Sequence, residues 1–447
     1  MVSHVEAVPI GFEMTELGPL PADWSLKNLG NLDTEEILTF QNGFPCGVHN
    51  QKGEGIPHLR PMNVDSQGHI DLQTVKFIPL REKLDKYFLQ ENDVIFNNTN
   101  SEELVGKTAY WGRSGNYVLS NHMTRIRIID SRELNPVFLA YFLHKRWYDG
   151  YYASICRRHV NQASISLERL KQISLPIPPL SEQRDISHVL STIQRAIEAQ
   201  DKVISAAREL KKSLMRHLFT YGPIPVSEVD QVPLKETEIG AMPESWKVAH
   251  LGDVVKDKIT DGVHKTPSYV EFGVPFITAK DIVNNRIDFT NSRNIPMSEH
   301  LVLTKRFKPE KGDILLTKVG TVGNVALVDT EDPFSIFVQL ALIKPDNAQV
   351  DSICLKYVLL SESLQEEIVK KSAQSTMKFI GTQKIAQIDI PLPTLVEQHE
   401  IAMILTAIDN KIQSEENRKA SLQTLFKTML HLLMTGQLRV NNLKVDD

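Results

Sequence analysis

Side chains able to hold phosphates or read base edges cluster at corresponding points in the two halves of this 447-residue chain. In the first half, an amide-rich run supplies Asn97, Asn98 and Asn100, and Lys107 follows it. Amides suit paired contact with adenine; an ordinary Asn-rich turn is the alternative. Residues 144–159 then carry Lys145, Arg146, Arg157 and Arg158 among Trp147, Tyr148, Tyr151 and Tyr152, with Gln162 just beyond. This stripe suits a phosphate wall, or a solvated helix face with half-buried rings. In the second half the candidates are His264, Lys265 and Thr266, then Lys280 and Lys318, then Gln374 and Lys378. The last two occupy the same place in their half as 157–162 in the first.

Catalytic chemistry finds no complete constellation. Gly106-Lys107-Thr108 resembles the end of a phosphate-binding loop, but Ser101 stands where the earlier glycine belongs. Asn135-Pro136-Val137-Phe138 resembles the loop with which amino methyltransferases hold a flipped adenine, yet it lacks the second proline and any Gly-rich cofactor loop. A helix start, with Pro136 in the first turn, explains it more simply. Asp313 and Lys318 hint at a metal nuclease, but Leu316 occupies a position that would have to bind metal, and the run reads as a strand. His58, His122 and His159 lie in separate segments without ligand spacing. Neither a catalytic residue nor a metal ligand is therefore expected.

The elements that must position these groups come in duplicate. Thr15, Glu16, Gly18, Pro21, Trp24, Leu29 and Gly30 recur in one register as Thr237, Glu238, Gly240, Pro243, Trp246, Leu251 and Gly252. Each half closes on a second echo, Pro176-Ile177-Pro178-Pro179-Leu180-Ser181-Glu182-Gln183 against Pro391-Leu392-Pro393-Thr394-Leu395-Val396-Glu397-Gln398. Between the echoes lie short β-rich runs punctuated by Gly, Asn and Pro, with loops of unequal length. After each Pro-rich echo the period becomes helical. Ile186, Val189, Ile193 and Ala196 open one seam, and Ile401, Leu405, Ile408 and Ile412 open the other, with Thr394 and Glu397 forming a capping box. A helix approaching forty residues is about 55–60 Å long, longer than a typical domain is wide.

The boundaries expected are a first domain at 1–180, a long helix at 181–221 and a linker at 222–235. A second domain follows at 236–394, a second long helix at 395–436 and a tail at 437–447. Antiparallel pairing of the helices as a coiled coil would turn the direct repeat into a pseudo-twofold. A net charge of −5 excludes a bulk polycation, so any nucleic-acid contact must come from local patches. Three scattered cysteines, no basic leader and no long apolar run point to a cytoplasmic protein without a membrane role.

These features together resemble the specificity subunits of type I restriction-modification enzymes. The resemblance spans nearly the whole chain and rests on the Pro-x-Pro-x-Leu-x-Glu-Gln echoes, the Pro-x-x-Trp entries at Pro21 and Pro243, and 261–267. At that last motif the first half departs, with Gln41-Asn42-Gly43-Phe44-Pro45 in its place. The fold implied is α+β, a tandem repeat of two α/β target recognition domains, each followed by its long helix. The function implied is recognition of a bipartite, asymmetric double-stranded DNA site, one half per domain, by a subunit with no catalytic centre or cofactor of its own. Two methyltransferase subunits, using S-adenosylmethionine, and two translocase-nuclease subunits, using ATP and Mg, are the implied partners. Docking to them falls to Glu182, Gln183, Glu397 and Gln398, because both copies share these residues. A self-contained modification enzyme and a coiled-coil scaffold without a DNA role are the competing readings.

Overall fold

The computed structural model describes residues 8–79, 84–305, 307–372 and 378–440. They fall into two compact units, the first built from Met1–Gln200 with Arg418–Asp447 and the second from Asp201–Asn417. Each unit therefore combines one copy of the repeat with parts of both long helices. This division by contact differs from the division by sequence, which set each long helix apart as a segment of its own.

In the first unit an entry hairpin, Phe12–Thr15 with Gly18–Pro21, is closed by the Thr15 hydroxyl on the Gly18 carbonyl at 2.7 Å. The strand Ser25–Asn28 then pairs antiparallel with Ser174–Ile177, joining the start of the module to its end. The central sheet runs in the order Leu38–Asn42, Met123–Ile128, Asp93–Asn97 and Thr108–Trp111. Every residue of Asp93–Asn97 is buried, and its alternation feeds two different cores. Val94 and Phe96 face the helix Pro136–Tyr148, while Ile95 joins Leu59, Trp111 and Met123 on the other side. A second sheet, in the order Val118–Leu119, Ile56–Leu59 and Lys76–Ile78, lies on that other side.

The second unit repeats this plan. Leu234–Thr237 and Gly240–Pro243 form its entry hairpin, and Lys247–His250 pairs with Asp389–Leu392. Its central sheet runs in the order Thr260–Asp261, Leu340–Ile343, Ile314–Thr317 and Val325–Leu327. Gly43 and Gly262 hold equivalent places beside these sheets. A Cβ on either would come within 2.1–2.2 Å of a carbonyl oxygen, of Ser120 and Ile336 respectively, so both positions require glycine. The apparent departure of the first copy at this motif leaves the backbone the same.

The long helices span Leu180–Tyr221, 42 residues, and Leu395–Met434, 40 residues. In the first unit Ile186, Leu190 and Ile197 share a core with Phe426, Leu430 and Leu433. Leu218, near the end of the first helix, shares the second unit's core with Ile401 and Leu405 near the start of the other. Within the second unit Arg208 pairs with Glu416 and Lys211 with Asp409, each at 2.6 Å. Numbers rise along one helix as they fall along its neighbour, so the paired segments run antiparallel. Burying a Leu or Ile side chain is worth about 1.5–3 kcal/mol, so these seams outweigh the partly exposed ion pairs beside them.

Candidate nucleic-acid interface

The residues that close each repeat point inward. The Glu182 carboxylate accepts a bond from the Trp24 indole at 3.0 Å, and Glu397 accepts from Trp246 at the same distance. The Gln183 side chain accepts from the Asn135 amide at 2.8 Å and donates to the carbonyls of Glu133 and Pro178. Gln398 does the same with the Asp351 amide and the carbonyls of Gln349 and Pro393. Both glutamines and Glu182 are buried, and Glu397 is half-buried, held also by the Thr394 capping box. Burial opposes ionisation of Glu397, but the bonds from Trp246 and Thr394 outweigh it and hold the carboxyl below its usual range. The assignment to partner docking is therefore corrected for Glu182, Gln183 and Gln398, which are buried, while Glu397 keeps part of its surface open. All four repeat because they lock each module's entry to its exit.

The lock receives a long helix's end in each unit. Gly222, just past one helix, lies against Trp246 and Glu397, and Gly436, just past the other, against Pro21 and Trp24. In the first unit a cation reaches the lock's carboxylate. Arg439 bridges Glu182, at 2.6 Å, and Asp23, at 2.7 Å. Its bonds to Asp23 and Glu182 raise the guanidinium pKa, and the bond from Arg439 lowers that of Asp23.

Four of the expected DNA-contacting residues are interior. Asn97 ends a buried strand and donates to the Pro61 carbonyl at 3.0 Å. The Lys107 ammonium bonds the Val64 carbonyl, and burial pulls its pKa below the usual lysine range against the opposing pull of Asp65. Lys145 is buried and paired with Asp149 at 2.6 Å. Lys318 is buried and paired with Asp261 at 2.6 Å. The aromatic stripe is likewise spent on packing. Trp147 donates to the Glu103 carbonyl, Tyr148 to that of Ser66, and the Arg146 guanidinium stacks 3.6 Å from the Tyr151 ring centre.

Most of the remaining candidates lie at one place in each unit, where the central strand leaves its sheet and pairs with the segment before the module's last short helix. In the first unit Thr99–Asn100 pairs with Ala163–Ser164, which pairs with Arg157–Arg158, forming a three-stranded ribbon. Asn98 is tied in through its carbonyl, which accepts from the Ile165 amide at 2.9 Å, and its side-chain oxygen is buried without a protein partner. Arg157, Arg158 and Gln162 are exposed, and Arg158 pairs with Glu102 at 2.6 Å. In the second unit the same place is a bridge between Val319 and Phe379. Lys318, over the Phe379 ring, reaches Asp261, and Asp261 reaches His264 at 3.4 Å. Burial of Asp261 opposes its ionisation, yet the bonds from Lys318 and His264 prevail and lower its pKa. Lys265, Thr266 and Lys378 are exposed here. Lys280 is also exposed, at the turn capped by Thr278 and Asp281, while Gln374 lies outside the described residues. Asp261, Glu102, Phe379 and the ribbon tip at Val160 and Asn161 were not among the sequence candidates.

None of the weighed catalytic motifs assembles. Asn135 caps the helix Pro136–Tyr148 through bonds from the amides of Val137 and Phe138, and Ile314–Thr317 is a strand of the central sheet. No metal-binding group of three or more His, Cys, Asp or Glu exists among the described residues. No helix among them is long and apolar enough to cross a membrane.

The sequence matches the family described as the type I restriction modification DNA specificity domain twice, over residues 64–205 and 243–424. The chain belongs to this family. As a member of the specificity family it is a recognition subunit and not a catalyst. It is 29% identical over 440 residues, covering 96% of this chain and 97% of the relative, to a specificity subunit of Methanocaldococcus jannaschii assigned to the type I restriction enzyme MjaX. It is 24% identical over 308 residues, 65% of this chain and 64% of the relative, to the type I restriction enzyme EcoBI specificity subunit of Escherichia coli. Among solved structures, the S subunit of the type I restriction-modification system of M. genitalium aligns over 92% of this chain and 96% of its own, with TM-score 0.56 and 16% identity. Two specificity domains in tandem, each with a long helix, are thus the shared fold.

Proposed function

We propose that each unit reads one half of a split, asymmetric DNA site, and that the chain thereby directs partner subunits to that site. Two methyltransferase subunits carrying S-adenosylmethionine would methylate adenine in the two halves. Two further subunits, using ATP and Mg, would restrict unmodified DNA. The observation that carries this reading is the corresponding place in each unit, where the strand leaving the central sheet pairs with the segment before the last short helix and different polar residues gather: half-buried Asn100 with exposed Arg157 and Gln162 in one, exposed His264, Lys265 and Lys378 in the other. A shared frame with divergent loops fits two different half-sites. The long helices, by their length, would fix the number of base pairs between the halves.

The test is an exchange. Residues 30–172, which hold the first unit's central sheet and ribbon, are replaced by the corresponding segment of another specificity subunit, and methylated adenines are mapped with the methyltransferase partners present. One half of the recognised sequence should change and the other persist. A change in both halves refutes independent reading, and an assembled complex that binds scrambled duplex as tightly as the mapped site at moderate salt refutes the DNA role.

A further inference from the structure

The ribbon of the first unit ends in a side chain that folding does not explain. Arg157–Arg158 and Ala163–Ser164 are joined by a turn closed by the His159 amide on the Gln162 carbonyl at 2.7 Å. At its tip Val160 is 98% exposed, with Asn161 exposed beside it. The base, by contrast, is fixed: Ala163 is buried, the ribbon continues into Thr99–Asn100, and the Arg169 guanidinium holds the Ile155 carbonyl just before it. A valine held in water at the tip of a polar projection gains nothing for the unit and is suited to a surface brought to it.

We infer that this ribbon enters the major groove and that Val160 packs on a thymine C5-methyl group, with Asn161 reading the adenine of the same base pair. This rests on the proposed DNA reading and adds a residue-level specificity to it. A two-stranded ribbon fits the major groove, where the thymine methyl is the apolar feature of the base edges, and Asn is the side chain that pairs with adenine N6 and N7. The charge around the tip agrees. Arg157 is exposed and has no ion pair among the described residues, and Arg158 is held beside it by Glu102, so cationic groups flank the tip where phosphates would lie. An aliphatic tip, an adjacent amide and a free arginine beside it together suit the edge of a T·A pair flanked by phosphate.

The experiment uses the full chain assembled with its methyltransferase partners and a duplex carrying the mapped bipartite site. Each thymine in the half read by the first unit is replaced in turn by uracil, which removes only the methyl group. Wild-type complex should lose about fourfold in affinity at one thymine, the worth of one buried methyl. Val160→Ala should bind the thymine duplex more weakly by a similar factor and no longer distinguish uracil there, with its thermal unfolding unchanged. Three results overturn the inference while leaving the DNA role intact: a first half-site without thymine, wild-type indifference to uracil at every position, or a Val160→Ala complex that still discriminates. Equal binding of the mapped and scrambled duplexes instead removes the reading on which the inference rests.

Discussion

Gln183 and Gln398 show how a repeated residue can signal in sequence without revealing its task. Each amide satisfies one backbone N–H and two carbonyls that would otherwise be buried unpaired. Gln183→Ala should therefore cost about 2–4 kcal/mol, more than a single lost contact, because the stranded backbone groups must be dehydrated without compensation. Hydrogen exchange at the start of Pro136–Tyr148 should report it, and unchanged protection there would show that the bonds are dispensable. The sequence made both glutamines legible as a pair. It could not say whether the pair faced outward or inward, since docking and internal locking leave the same repeated letters. Lys107 and Lys318 failed for a related reason: nothing local to a lysine reveals that Val64 or Asp261, distant in sequence, will take its ammonium.

Elements with a clear period were readable, and elements too short to have one were not. The helical seams, the capping box at Thr394 and the strand containing Ile314 all carried local signals, and each is an element of the fold. The ribbon consists of two-residue strands, which have no alternation to detect, so Arg157 and Arg158 were grouped with the preceding helix by charge alone. Exposure then separates them from Lys145: the helix keeps its cation inside, while the ribbon presents its own. The long helices make a prediction at this scale. Four residues inserted after Gln200, about one helical turn, should change the spacer of the methylated site and leave both half-sites as they were. An unchanged spacer in the methylation map would remove the helices from that role.

The two units share a plan but should differ in their response to acid. The first buries His144, whose Nε2 faces the Ser66 carbonyl at 3.2 Å while Nδ1 accepts from the Thr108 amide at 3.4 Å, an arrangement that fits only the neutral ring. Burial pushes its pKa down to about 4, and burial does the same to His58, also to about 4. A neutral ring favoured by the fold means that the unfolded chain binds more protons below pH 6.5, so stability falls as pH drops from about 6.5 toward 4, by about 3 kcal/mol for each ring at most. The second unit has only His300 shifted the same way among its described histidines. Hydrogen exchange at pH 7 and pH 5 should show the first unit's core loosening first; equal loosening of both would refute the assignment. The fold class and the tandem plan were legible in the repeats, and the antiparallel pairing expected of the helices already implied the return of 418–440 to the first unit, whereas the residues that make that contact, hundreds of positions apart, were not legible. That return sets an order of assembly on the ribosome. The first unit begins synthesis before the second yet closes after it, since Ile186, Leu190 and Ile197 have no cover from Phe426, Leu430 and Leu433 until synthesis has passed residue 433. The second unit, closed within 201–417, can be complete before its elder neighbour.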